Sequence, residues 1–127
     1  SILLDVLTVA SEKQADSSEA LLRRAGGEGR LIICECVVAE VLPALGSVVR
    51  MRQFMSDWRL DFVPADAEDS LLAGECFATY LKRGGRRGRV VPDFLIGTHA
   101  LRHADRLLAR DRGYLRDYFR SLKILAV

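Results

Sequence analysis

The sequence predicts an α/β layered fold with a mostly parallel sheet. Short apolar runs of strand length alternate with segments of helical spacing, and glycine or proline punctuates the joins between them. The breakers fall at Gly26-Gly27, Gly29, Pro43, Gly46, Pro64, Gly84-Gly85, Gly88 and Pro92, with no internal repeat or low-complexity stretch. The chain has 127 residues, one domain's worth, and a globular chain of this size buries roughly 65–70% of its unfolded surface. Half the residues are apolar and 28% are charged, which excludes disorder.

Taken in order, Ile2-Leu3-Leu4-Asp5-Val6-Leu7 is apolar and suits either strand or helix. Asp16 followed by Glu19 reads as a capping box that starts a helix through Leu21, Leu22 and Ala25, ending at Gly26-Gly27. Leu31-Ile32-Ile33-Cys34 is a short buried-type strand. It leads into a helix at 36–45 and a second at 47–58, where Val48, Met51, Met55 and Trp58 recur on one face. That stripe suits a core, and it also suits a partner's apolar helix. Leu60–Val63 is a strand stopped by Pro64, and Asp66 caps a long helix to about Arg83 that buries Leu71, Leu72, Phe77 and Leu81. After a glycine- and arginine-rich loop at 84–89, a helix is expected at 94–104 and a strand over Arg106–Arg110. A short helix or turn near Tyr114–Phe119 and a last strand over Leu122–Val127 close the chain. Gly97 inside a helix points to close packing against the sheet.

Nineteen basic against 17 acidic residues leave a net charge of +2, so any affinity for a polyanion must be local. Cys34, Cys36 and Cys76 form no even disulfide framework and no spaced metal pairs, which predicts a reducing setting, and Cys34 and Cys36, with no activating base signalled, are expected to be buried and inert. Leu31–Val49 is interrupted by Glu35, Glu40 and Pro43 and cannot span a bilayer, and no basic-then-apolar signal segment opens the sequence. These features predict a cytoplasmic chain without a membrane partner.

In a parallel α/β sheet, strands end and the following helices begin at one rim, where ligands bind. Glu40 lies about one turn into the helix after strand 31–34, Asp93 stands at the start of helix 94–104, and Asp111 follows strand 106–110. An 11-residue helix leads ~16 Å away from that rim, and a five-residue strand leads ~16 Å back, so Asp93 and Asp111 are expected at one edge. Clustered carboxylates repel unless a cation lies between them. Oxygen-only ligands select magnesium or manganese, which favours metal-assisted phosphodiester hydrolysis. Structural alternatives stand beside this: Asp93 as an N-cap, and Asp111 as a turn residue within Arg110-Asp111-Arg112-Gly113. Glu40, among Val37, Val38, Val41 and Leu42, is expected to need a partner or a metal.

Val38-Ala39-Glu40-Val41, Pro92-Asp93-Phe94-Leu95-Ile96-Gly97-Thr98-His99-Ala100 and Leu107-Leu108-Ala109-Arg110-Asp111-Arg112-Gly113-Tyr114 resemble segments of the PIN-domain ribonucleases. The opening Ile2–Leu7 run is also similar to that family's start, and the nearest likeness is to VapC-type toxins of bacterial toxin–antitoxin pairs. The resemblance covers essentially the whole chain. It implies a single three-layer α/β/α domain over 1–127, with helices flanking a mostly parallel central sheet, and a magnesium- or manganese-dependent endoribonuclease. Glu40, Asp93 and Asp111 would be its metal-binding acids. It further implies a homodimer restrained by a cognate antitoxin laid across the active-site groove. The family carries another Asp at the end of its first strand, which this sequence, beginning at Ser1, does not contain. That Asp is expected ahead of Ser1 unless Ser1–Asp5 itself forms the strand and Asp5 takes its place.

Lys82-Arg83-Gly84-Gly85-Arg86-Arg87-Gly88-Arg89 holds five cations in eight residues. Arg86, Arg87 and Arg89 are candidate contacts to RNA, or to the antitoxin, in a salt-dependent manner; the alternative is a solvated loop. His99 and His103 are one turn apart but lack a third nitrogen or sulfur ligand nearby, and are expected to be surface or packing residues. Two other functional classes compete with the nuclease. One is a catalytically silent PIN-fold module acting through dimer or antitoxin contacts. The other is a phospho-receiver domain, disfavoured because Lys123 lies at the start of the last strand and not at its end.

Overall fold

The computed structural model describes residues 12–88, 90–109 and 117–126. Among them the order is α1 (Glu12–Glu28), β1 (Leu31–Ile33), α2 (Glu35–Leu45), α3 (Val48–Asp57), β2 (Leu60–Phe62), α4 (Ala67–Lys82), α5 (Val91–His103), β3 (Arg106–Ala109) and β4 (Lys123–Ala126). Each apolar run expected to be a strand from residue 31 onward therefore contains one. The opening run at 2–7 with Asp5, and the segment at 114–116, lie outside the described residues. Where the sequence predicts one sheet, the described strands pair in twos: β1 with β2, parallel, and β3 with β4.

The described residues fall into two compact units. The first holds everything up to Pro64 together with 108–109 and 125–126. Its centre is a β-α-α-β arrangement in which Leu31, Ile32 and Ile33 register against Leu60, Asp61 and Phe62. Leu22, Ile33, Val41, Met51, Phe54 and Leu60 form the buried core, edged by Leu31, Val37, Val38, Leu42, Leu45, Met55, Trp58 and Leu108. Helix α1 contributes a face through Ser18, Leu22 and Ala25, spaced four and three residues apart. Its outer face carries the ion pairs Arg23–Glu19 (2.7 Å) and Arg24–Glu28 (3.2 Å).

Helix α1 begins at Glu12, four residues before the Asp16 start that the sequence suggests, because Glu12-Lys13-Gln14-Ala15 are all strong helix formers. It also runs through Gly26-Gly27, where the Gly29 N–H still reaches the Ala25 carbonyl at 3.1 Å. Helix α2 ends on Gly46, whose φ of 90° lets its N–H close onto Leu42 O at 2.9 Å. Ser47 follows at once and caps α3 by accepting the Arg50 N–H at 3.2 Å. The inward stripe of α3 is Met51, Phe54, Met55 and Trp58; Val48, expected there, is 54% exposed.

The second unit holds 65–107 and 117–124 of the described residues. Asp66 caps α4 as expected, in a full capping box with Asp69. Ala73 and Asp69 are its most buried residues, while Leu71, expected inside, is 62% exposed. Helices α4 and α5 pack antiparallel, with the start of α4 against the last turn of α5. Phe77, Tyr80, Phe94, Tyr118 and Phe119 form one aromatic cluster with ring centroids 5.4–6.2 Å apart. Gly97 is required here, since a Cβ at that position would lie 2.5 Å from the Phe119 ring. The close approach inferred from sequence is therefore to an aromatic ring in the segment before β4.

Candidate functional site

Glu40 lies on α2 in the first unit and is exposed, although Val41 beside it is fully buried. Successive helix residues turn about 100° apart, so apolar neighbours in sequence need not surround a side chain in space. The expectation that Glu40 is trapped among Val37, Val38, Val41 and Leu42 is corrected accordingly; its carboxylate is open to solvent.

Asp93 is half-buried in the second unit and is the third residue of α5, which begins at Val91, three residues before the expected start. Pro92 explains the early start, because a proline in the first turn gives up no helical hydrogen bond. Val90 occupies the cap position, and the Asp93 N–H donates to its carbonyl at 3.0 Å, so Asp93 is not the N-cap. A first-turn carboxylate there faces the positive end of the helix dipole. Asp111 and Arg89 lie outside the described residues, and Arg86 and Arg87 are exposed.

Among the described residues, Asp66, Asp69 and His103 bring three metal-competent donor atoms within 4.8 Å of one another. The cap at Asp66 is legible in the sequence, whereas the tertiary grouping is not. Asp69 Oδ2 accepts the Asp66 N–H at 2.9 Å and lies 2.8 Å from His103 Nε2. Asp66 Oδ1 accepts the Asp69 N–H at 2.9 Å and Arg102 Nη1 at 2.6 Å, and Arg102 also donates to Asp69 Oδ1. Burial by itself would raise the Asp69 carboxyl. The Asp66 N–H, His103 and Arg102 outweigh it and hold the group at about 2. Asp66 is lowered as well, chiefly by the Asp69 N–H.

The donor set is compatible with a divalent ion, but a guanidinium already bridges the two carboxylates. The arrangement also places acids at the start of α4 and cations at the end of α5, so both helix dipoles are complemented. Its evident work is to fasten two helix ends together. His99, expected at the surface or in packing, is 4% exposed, with its ring 4.8 Å from that of His103.

Cys34 is buried as expected, whereas Cys36 is only half-buried; burial still pushes the thiols of Cys34, Cys36 and Cys76 upward, which suppresses the reactive thiolate. No described helix is long and apolar enough to cross a membrane.

No protein-family model matches the sequence, and no curated protein matches it. A solved structure does. The chain superposes on a chain of the crystal structure of VapBC2 from Rickettsia felis bound to a DNA fragment from their promoter, with a TM-score of 0.70 and 20% identity, covering 98% of this chain and 92% of that one. This mixed arrangement of helices and short paired strands is thus similar in fold, almost end to end, to a component of a VapBC2 complex.

Proposed function

We propose that this chain is the toxin-type component of a toxin–antitoxin pair, a metal-dependent endoribonuclease folded as a single three-layer PIN-type domain. The observation that carries the reading is the likeness in fold to a VapBC2 chain over 98% of the length. It coincides with acid-bearing segments around Glu40, Asp93 and Asp111 that resemble those of PIN-domain ribonucleases.

The donor chemistry fits the proposed ion. Glu40 offers an open carboxylate and Asp93 one fixed in the first turn of α5, an oxygen-only set of the kind that suits magnesium or manganese. Asp111 completes the acidic set. When bound, the ion supplies charge neutralisation at the phosphodiester and a water of lowered pKa. The chain's own part is positional: α2 and α5 carry their carboxylates on helical backbone rather than on loops, which limits their movement. The Asp66–Asp69–His103 group is left to its structural role, because Arg102 already bridges both carboxylates. In this reading the enzyme acts on RNA in the cytoplasm, pairs as a homodimer and is restrained by a cognate antitoxin.

The test is cleavage of a mixed RNA pool in manganese, magnesium or chelator, with Asp93→Asn run alongside. Metal-dependent cleavage that falls at least about 100-fold in the variant is expected, since loss of a direct ligand exceeds the effect of losing an outer-shell partner. Activity that survives chelator or the substitution overturns the assignment. No cleavage under any condition favours the silent binding module.

A further inference from the structure

Between Glu75 and Asp93 the sequence contains no acid, and Lys82, Arg83, Arg86 and Arg87 stand together in that interval. All four are exposed, and among the described residues none of them is in an ion pair. Like charges so close repel, and a slack loop would let them spread. The backbone holds them together instead. The Gly84 N–H bonds Leu81 O at 3.1 Å and the Gly85 N–H bonds Tyr80 O at 2.9 Å. Gly84 has a φ of 84°, which a side chain would strain.

Tyr80 is the centre of this turn. Its hydroxyl donates to the Arg86 carbonyl at 3.1 Å, and Gly85 lies so close to its ring that a Cβ would come within 2.5 Å. The same ring packs 5.4 Å from Phe94, the residue after Asp93, and 6.0 Å from Tyr118. Arg83 lies over Tyr118 with its guanidinium carbon 5.3 Å from the ring centroid. The turn is therefore anchored to the buried aromatic cluster at the start of the helix that bears Asp93, and the backbone that carries its cations is held, as far as Arg86, before any partner arrives.

Guanidinium groups carried on a held turn, without carboxylate partners among the described residues, suit a ligand with regularly spaced phosphates, since arginine binds phosphate oxygens in a bidentate manner. Preorganisation lowers the ordering cost of binding. We infer that the turn at 82–87 grips the phosphodiester backbone of a nucleic-acid strand, with Arg86 and Arg87 on phosphates and Tyr80 as the positioning residue that holds them. The inference rests on the nuclease reading for its class of substrate.

Binding is measured by fluorescence anisotropy in chelator, so that no turnover intrudes. The probes are a fluorescein-labelled uridine oligonucleotide, its deoxy counterpart and polyglutamate, each titrated across a salt series. Arg86→Ala/Arg87→Ala is expected to weaken nucleic-acid binding roughly tenfold and to make the slope of log affinity against log salt shallower by about 1.4, or about 0.7 for each lost phosphate contact. Tyr80→Phe, which removes only the hydroxyl, is expected to weaken binding about threefold with the salt slope unchanged, and to add nothing to the double arginine variant. Equal loss on both nucleic acids supports a backbone grip, and loss on RNA alone supports one that also reads the 2′-hydroxyl. The inference is overturned if the double variant binds like the parent with the same slope, or if the parent binds polyglutamate and neither nucleic acid. A variant that loses binding while the parent never cuts RNA rejects the nuclease and keeps the grip; unchanged binding beside metal-dependent cleavage does the reverse.

Discussion

Asp69 is 1% exposed and still ionised, because the proton donors around it compensate the lost water. Its carboxyl lies at about 2 in the folded chain against 3.8 for the unperturbed group, so on acidification the unfolded chain takes up the proton first. The stability that this residue contributes is complete above about pH 5 and drains away as pH falls through 3.8 toward 2. Asp69→Asn keeps an acceptor for the Asp66 N–H but loses the charge. It is expected to cost about 2 kcal/mol at neutral pH, and to flatten the acid limb in urea midpoints measured between neutral pH and the acid end. An unchanged acid limb would remove Asp69 from the account. The cap at Asp66 can be read from the local sequence. Arg102 and His103 cannot, since they reach it only once α4 and α5 have packed. Glu40 teaches the complementary lesson: its neighbours in sequence are apolar, but the helix turns them inward and the carboxylate outward.

At the scale of elements, alternation of apolar runs with helical spacing was enough to locate the strands from residue 31 onward and the helices between them. Boundaries slipped where no residue forbids continuation, as at the start of α1, or where proline favours an earlier start, as at Val91. Pairing is a different matter, because which strands bond is decided by contacts distant in sequence. The β1–β2 ladder is short, and the Val63 N–H extends it past the end of β2 by bonding Ile33 O at 3.0 Å. A tight turn between the end of α3 and the start of β2 places Arg59 at a φ of 53°. A left-handed conformation costs a non-glycine residue roughly 1 kcal/mol. Arg59→Gly removes that cost and adds backbone freedom to the unfolded chain, so a net gain of about 0.5 kcal/mol is expected in denaturant melts. A loss of stability would mean that the Arg59 side chain contributes more than the strain it carries.

For the whole molecule, a TM-score of 0.70 accompanies only 20% identity, so the fold is shared where most residue identities are not. Asp66, Asp69 and His103, bridged by Arg102, are the metal-competent group among the described residues, whereas the proposed function gives the ion to Glu40, Asp93 and Asp111. The direct measurement is manganese binding by electron paramagnetic resonance on the parent chain, Glu40→Gln, Asp93→Asn and His103→Ala. The first two variants are expected to weaken binding by at least about tenfold, and His103→Ala to leave it unchanged. Loss of binding in His103→Ala, with Glu40→Gln and Asp93→Asn indistinguishable from the parent, would contradict that assignment of the ion.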